Sequence, residues 1–449
     1  MGVKKALLWI PAALALAAPP VALGVQWRDA RRARDLLARG VAVLDTPLER
    51  APSPEALDWR RAEDAFGRAR GMDPGGDIGR RADALWHVAR AYGDLARGEA
   101  VLAATETQTA VRVAPEEPRV TLAAALVALR GGDAPRAERM FDGLDREPAT
   151  PPAVRARSGA YHVDVLLDAG RAHEALTLAE SLDRSFSRCA PVVNRVGLAR
   201  MAVGDTEGAA EAFQRAVTLD PRDAAPLVNQ ARLARQRGDL PGARVALERA
   251  LGLSPESPTA WLAYGVVLSD LGNPGARAAI IRASQLAPDD AGPFAAQGDM
   301  DLREGNWAGA AESFREALTR APDDAAARTN LGVALARAGD RSGAMTAFEE
   351  ATRRSPTLGA AWNGLGAMRL AAGDAEGAVG PLQQASVLLP DDPNPCLNLG
   401  LALERLSRWN DAARAFHETL RRAPDNETAL RHLTALQPDA ARARRVASR

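Results

Sequence analysis

Residues 322–356, PDDAAARTNLGVALARAGDRSGAMTAFEEATRRSP, contain one complete structural unit with its punctuation. Asp324 is an N-cap residue type two places after Pro322. Gly339-Asp340 supplies a left-handed helix end followed by a cap for a second helix. Pro356 stops that second helix, because proline cannot extend the hydrogen-bond ladder. Between these signals stand Gly332, Ala344 and Phe348. Small residues let two antiparallel helices cross closely, and the large residue fills the space towards a neighbouring hairpin.

The unit repeats. Prolines recur at Pro221, Pro255, Pro288, Pro322, Pro356, Pro390 and Pro424, spaced 34, 33, 34, 34, 34 and 34. A fixed period of this size predicts stacked helical hairpins. Ala209, Ala243, Ala276, Ala310, Ala344, Ala378 and Ala412 hold the small position. Phe213, Leu247, Ile280, Phe314, Phe348, Leu382 and Phe416 hold the large one. Gly197, Ala231, Gly265, Gly298, Gly332, Gly366 and Gly400 occupy the crossing position. Gly204-Asp205, Gly238-Asp239, Gly272-Asn273, Gly305-Asn306 and Gly373-Asp374 repeat the central turn, and Asp223, Ser257, Asp290, Asp392 and Asn426 repeat the first cap, with Leu358 the exception.

These positions resemble the tetratricopeptide repeat. Trp261 and Trp362 match its early tryptophan, and Leu331-Gly332, Leu365-Gly366 and Leu399-Gly400 match its Leu-Gly pair. Seven units over 189–424 fit well. Upstream, 27–188 reads as degenerate repeats: a first helix at about 27–44 with Ala62, Phe66, Ala69 and Pro74 in its second helix, and units at about 79–115, 117–150 and 152–188. The expectation is an all-α, right-handed superhelical solenoid of about eleven such hairpins behind an N-terminal hydrophobic segment. A capping helix is expected over 425–437, with Leu430, Leu433 and Leu436 covering the last repeat, followed by a basic tail over 438–449.

At the N-terminus, Lys4 and Lys5 precede an uncharged run from Ala6 to Trp27. Residues 1–26 read either as a transmembrane anchor or as a signal peptide cleaved after Ala15-Leu16-Ala17 or Ala22-Leu23-Gly24. The basic start favours export of the body, while Arg28, Arg31, Arg32 and Arg34 pull the other way. The expected location is therefore a bacterial envelope, membrane-anchored or periplasmic.

Composition narrows the function. The chain carries 57 basic and 57 acidic residues, so no net positive charge is present to hold nucleic acid, and none is expected as a partner. Apart from Lys4 and Lys5 every basic residue is arginine, spread along the chain as a GC-rich genome would place it. Cys189 and Cys396 fall in different repeats and read as small apolar residues rather than a disulfide. His87, His162, His173, His417 and His432 lack any metal-binding spacing, and no phosphate loop, dinucleotide turn or nucleophile elbow occurs, so no catalytic residue, metal or cofactor is expected. The repeated pairs Asp289-Asp290, Asp323-Asp324 and Asp391-Asp392 are explained by capping.

The resemblance implies that first helices line a concave groove which receives partner proteins or peptides. Asn229, Asn330 and Asn398 fall at equivalent places in three first helices, and Asn194 and Asn363 one place earlier in two others. With Arg232 these are the candidate partner-binding residues. Such amides could bond a partner's backbone, or could bond between neighbouring helices or to water. The carboxylate clamp of chaperone-binding members pairs a basic residue with an asparagine four places on; Asn194/Leu198, Val228/Arg232, Thr329/Val333, Asn363/Ala367 and Leu397/Leu401 lack that form. The leading expectation is a protein-binding scaffold, with a self-assembling structural array and a cryptic catalytic module at 79–188 as the rival classes.

Overall fold

The computed structural model describes residues 20–46 and 57–436. Every regular element among them is an α-helix. In chain order these are α1 (Pro20–Leu44), α2 (Trp59–Met72), α3 (Asp77–Ala96), α4 (Ala100–Val113), α5 (Pro118–Arg130), α6 (Ala134–Arg146), α7 (Pro152–Asp168), α8 (Ala172–Ser185), α9 (Ala190–Ala202), α10 (Thr206–Leu219) and α11 (Ala225–Gln236). They continue as α12 (Leu240–Leu253), α13 (Pro258–Asp270), α14 (Ala276–Leu286), α15 (Ala291–Glu304), α16 (Trp307–Arg320), α17 (Ala325–Ala338), α18 (Arg341–Arg354), α19 (Gly359–Ala371), α20 (Ala375–Leu388), α21 (Asn394–Arg405) and α22 (Trp409–Arg422). A further helical stretch covers 427–436. Odd-numbered helices are the first helices of their hairpins. The chain divides into two compact units, Met1–Leu233 and Ala234–Arg449.

The turns follow the sequence. Gly339 adopts φ 90, and the Asp340 carboxylate accepts a hydrogen bond from the Gly343 amide at 2.8 Å, opening α18. Asp205, Asp239, Asn306 and Asp374 cap their second helices in the same way. Asp223, Ser257, Asp290, Asp324, Asp392 and Asn426 each accept a backbone amide at the start of the next helix. Asn273 departs from the pattern: its side chain accepts from the Gly275 amide at 2.8 Å and shapes a turn, and α14 starts only at Ala276. Pro274 follows Asn273, so the helix is entered later in this repeat, which is one residue shorter than its neighbours.

Within each hairpin the crossing glycine lies under the large residue. A Cβ on Gly298 would come within 2.8 Å of the Phe314 ring, and one on Gly332 within 2.8 Å of Phe348. Phe213, Leu247, Ile280, Phe314, Leu382 and Phe416 are all fully buried. Trp261 and Trp362 donate their ring N–H groups to the carbonyls of Pro255 and Pro356 at 2.7 and 2.8 Å, so each joins its hairpin to the end of the preceding one.

The segment expected to anchor or export the chain, 1–26, lies outside the described residues except where Pro20 onward opens α1. Among the described residues no helix is long and apolar enough to cross a membrane. The basic tail at 438–449 also lies outside them. In the helix over 427–436, Ala429 and Leu436 are buried against Phe416 and Ala412 while Leu430 stays exposed. His432 stacks on the Phe416 ring at 5.5 Å and pairs with Glu404 at 2.6 Å.

Candidate protein-binding surface

Within each unit, first helices such as α3, α7, α15 and α19 spend one stripe on their own second helix and another on a neighbouring first helix. What remains is the face available to a partner, and the two units treat it differently.

In the first unit part of this face is filled from within. Arg119, near the start of α5, donates through Nε to Asp45 at 2.8 Å and through Nη1 to Glu117 at 2.5 Å. Arg81 of α3 reaches the second Glu117 oxygen at 2.7 Å. Arg157 of α7 donates to the Thr46 carbonyl at 3.0 Å. Asp45 and Thr46 directly follow α1, so a single polar cluster ties the end of α1 to α3, α5 and α7. Tyr92, Arg119 and Arg157 are buried. Burial raises the Tyr92 phenol above its ordinary range, against the opposing pull of Arg157. Sequence reading missed this cluster, since Arg119 and Arg157 sit where repeat periodicity is weakest and their partner lies 74 residues away in the first case.

Further along the first unit, Arg195 of α9 grips Asp164 of α7 with Nη2 at 2.7 Å. Asn229 of α11 donates to the Asn194 side-chain oxygen of α9 at 3.0 Å, and both residues are only 7% exposed. Arg232, one helical turn on, is exposed.

In the second unit the described first helices bury fewer polar side chains, Asp301 and Thr329 among them. Asp270 of α13 receives Arg235 at 2.5 Å and Arg303 at 3.2 Å. Asn330 of α17 donates to Asp299 of α15 at 3.0 Å. Burial pushes the Asp299 carboxyl above its ordinary range, and Arg303 and the Asn330 amide oppose that shift. Asn398 of α21 donates to Asn363 of α19 at 3.3 Å. Asn330, Asn363 and Asn398 are half-buried, with Val333, Arg303, Arg337 and Arg405 exposed beside them.

The structure therefore joins the predicted asparagines into two pairs, Asn194 with Asn229 and Asn363 with Asn398. It gives Asn330 a carboxylate partner and leaves Arg232 apart from them. The amides are first of all bridges between successive first helices. One bond uses one N–H of the donor and one lone pair of the acceptor, so each side chain retains further capacity.

Three of the five histidines, His87, His162 and His432, pair with carboxylates, while His173 and His417 are exposed. His87 meets Glu106 at 2.5 Å and His162 meets Asp145 at 3.0 Å, while Asp164, two residues after His162, points to Arg195 instead. Cys189 and Cys396 are buried free thiols.

The tetratricopeptide repeat model of this family matches residues 162–224, 228–293, 295–359 and 339–393, more than half of the chain. The chain belongs to the tetratricopeptide repeat family. Its fold is also that of a chain in the APC/C hetero-tetramer Cut9-Hcn1, with a TM-score of 0.51 at 14% identity over 94% of this chain and 97% of that one. Yeast Tom70 aligns with a TM-score of 0.44 at 14% identity, covering 92% of this chain and 96% of its own. YrrB, described as a tetratricopeptide repeat protein with an unusual peptide-binding site, aligns with a TM-score of 0.34 at 24% identity over 44% of this chain and 99% of its own. No curated protein matches the sequence. The tetratricopeptide array is thus a helical-repeat scaffold of the kind found in protein-interaction adaptors.

Proposed function

We propose that this protein is a non-catalytic adaptor of a bacterial-type envelope, exported or held at the membrane by residues 1–26, which receives extended segments of partner proteins on the first-helix face of α15, α17, α19 and α21. One observation carries the reading. Asn330, Asn363 and Asn398 stand half-buried on that face, each with hydrogen-bonding capacity beyond its single helix-to-helix bond. Side-chain amides aligned along successive helices suit an extended backbone, whose N–H and C=O groups they bond without demanding a particular sequence. Exposed Val333 and the neighbouring arginines add apolar contact and charge. The corresponding face of α3, α5 and α7 offers less, because Tyr92, Arg119 and Arg157 are buried there.

The test places a photocrosslinking residue at Val333 in the full-length chain and captures neighbours in cells. Asn330→Ala combined with Asn398→Ala should reduce that capture at least severalfold while circular dichroism stays unchanged. Capture that is indifferent to both substitutions would return the amides to a purely internal role. Protease added to intact spheroplasts should digest the repeat body; protection until lysis would place the body inside.

A further inference from the structure

A different face of the second unit carries an unexplained feature. Three helical stripes enclose a cleft of about 630 Å³. Glu349, Thr352 and Arg353 of α18 form one wall, Gly380, Gln383, Gln384 and Val387 of α20 the other, and Trp362, Leu365 and Arg369 of α19 the floor. The spacing along each helix, three or four residues, places each set on one face. A volume of this order is ordinary for ligand clefts.

The α20 wall is locally unlike its counterparts. Where Gly380 stands, α10, α12, α16, α18 and α22 carry Glu211, Val245, Glu312, Thr346 and Arg414. Glycine in a helix interior costs about 1 kcal/mol relative to alanine. No packing requirement explains it, because a Cβ on Gly380 would meet nothing within 4 Å. Pro381 follows, again inside the helix. It cannot donate to the Gly377 carbonyl, and Arg369 donates there instead at 3.0 Å while its other nitrogen holds Glu349 at 3.0 Å. The result is an opening with a neutralised floor. Trp362 is fixed by its bond to Pro356, and Val387 projects from the rim 75% exposed. Arg353 is exposed at the same rim, with no charge partner among the described residues.

We propose that this cleft is a second peptide site, which takes an extended segment carrying an acidic residue next to an apolar one. The missing side chain at Gly380 lets a backbone approach α20, where the Gln383 and Gln384 amides bond it. The apolar side chain lies against Trp362, Leu365 and Val387. The carboxylate meets Arg353, the cation not already neutralised by the Glu349 pairing that occupies Arg369. The site shares no residue with the amide face of the first helices, so the two readings stand or fall separately.

The experiment screens the full-length chain against a fluorescein-labelled library of short random peptides, followed by anisotropy titration of the peptides retained. Peptides with Asp or Glu within two places of Leu, Ile or Phe should dominate. Gly380→Leu fills the cleft with a residue that favours helix, and should weaken them about tenfold or more. Arg353→Glu should do the same, and Val387→Arg, a change at the surface, repeats the test should either variant fail to fold. Asn330→Ala with Asn398→Ala should leave these affinities unchanged. Retention of no such peptide by the native chain, or equal binding by Gly380→Leu, Arg353→Glu or Val387→Arg, would overturn the proposal. So would loss of binding in the asparagine variant alone.

Discussion

Phe314 shows how one side chain serves the array. Its ring is fully buried and lies against Gly298, where any Cβ would intrude. Removing the ring leaves a cavity that the facing glycine cannot fill, since glycine has no rotamer to move. Phe314→Ala should therefore cost about 3–5 kcal/mol, measured as a shift in the urea denaturation curve; a change below about half a kcal/mol would mean the ring contributes little burial. Ser407 illustrates the opposite case. It adopts φ 59 where the other central turns place glycine, and Arg408 after it provides no side-chain cap for α22. Arg408 instead pairs with Asp411 at 2.8 Å, so the last hairpin keeps its turn with weaker local chemistry.

At the scale of an element, α20 combines a helix-breaking residue with its remedy. Pro381 removes one rung of the hydrogen-bond ladder, and the guanidinium of Arg369 takes the orphaned Gly377 carbonyl. The same arrangement occurs without proline in α9 and α10, where Arg200 reaches the Gly208 carbonyl at 3.3 Å and Glu180 at 3.3 Å. Arg369 therefore has more to satisfy than Arg200 does. Pro381→Ala should stabilise the chain, by up to about 3 kcal/mol. Arg369→Met should cost more in the native background than in Pro381→Ala, with a coupling of about 1 kcal/mol. Strict additivity in that double-mutant cycle would show that the arginine and the proline act independently.

At the scale of the whole molecule, repeat arrays ordinarily join only neighbours. The first unit adds a longer link, because Asp45 and Thr46 at the end of α1 bond residues of α5 and α7. Removing one partner from such a buried ion pair leaves the other charge unpaired, which commonly costs about 3–5 kcal/mol. Arg119→Met should thus destabilise the first unit by that order and speed amide exchange in α1, α3 and α5 together. Faster exchange confined to α5 would argue that the cluster does not couple the hairpins. In the second unit Asp270 of α13 likewise links Arg235 of α11 to Arg303 of α15, but there both arginines are exposed.

The sequence by itself determined what is local or strictly periodic. Gly-Asp turns, post-proline caps and the alternation of small with large residues each act within one hairpin, so the fold class and the helix count could be read directly from residues such as Gly332, Asp340, Phe348 and Pro356. Even the position of the asparagines was visible as a recurrence. Only the tertiary structure decided what those amides bond, because Asn229 finds Asn194 and Asn398 finds Asn363 across a full repeat, while Asn330 finds a carboxylate instead. The same holds for Arg119, whose partner is far off in sequence, and for the opening at Gly380, which exists only where three helices meet. Hairpin formation depends on contacts a few residues apart, whereas the faces that a partner would meet arise from side chains brought together only by stacking.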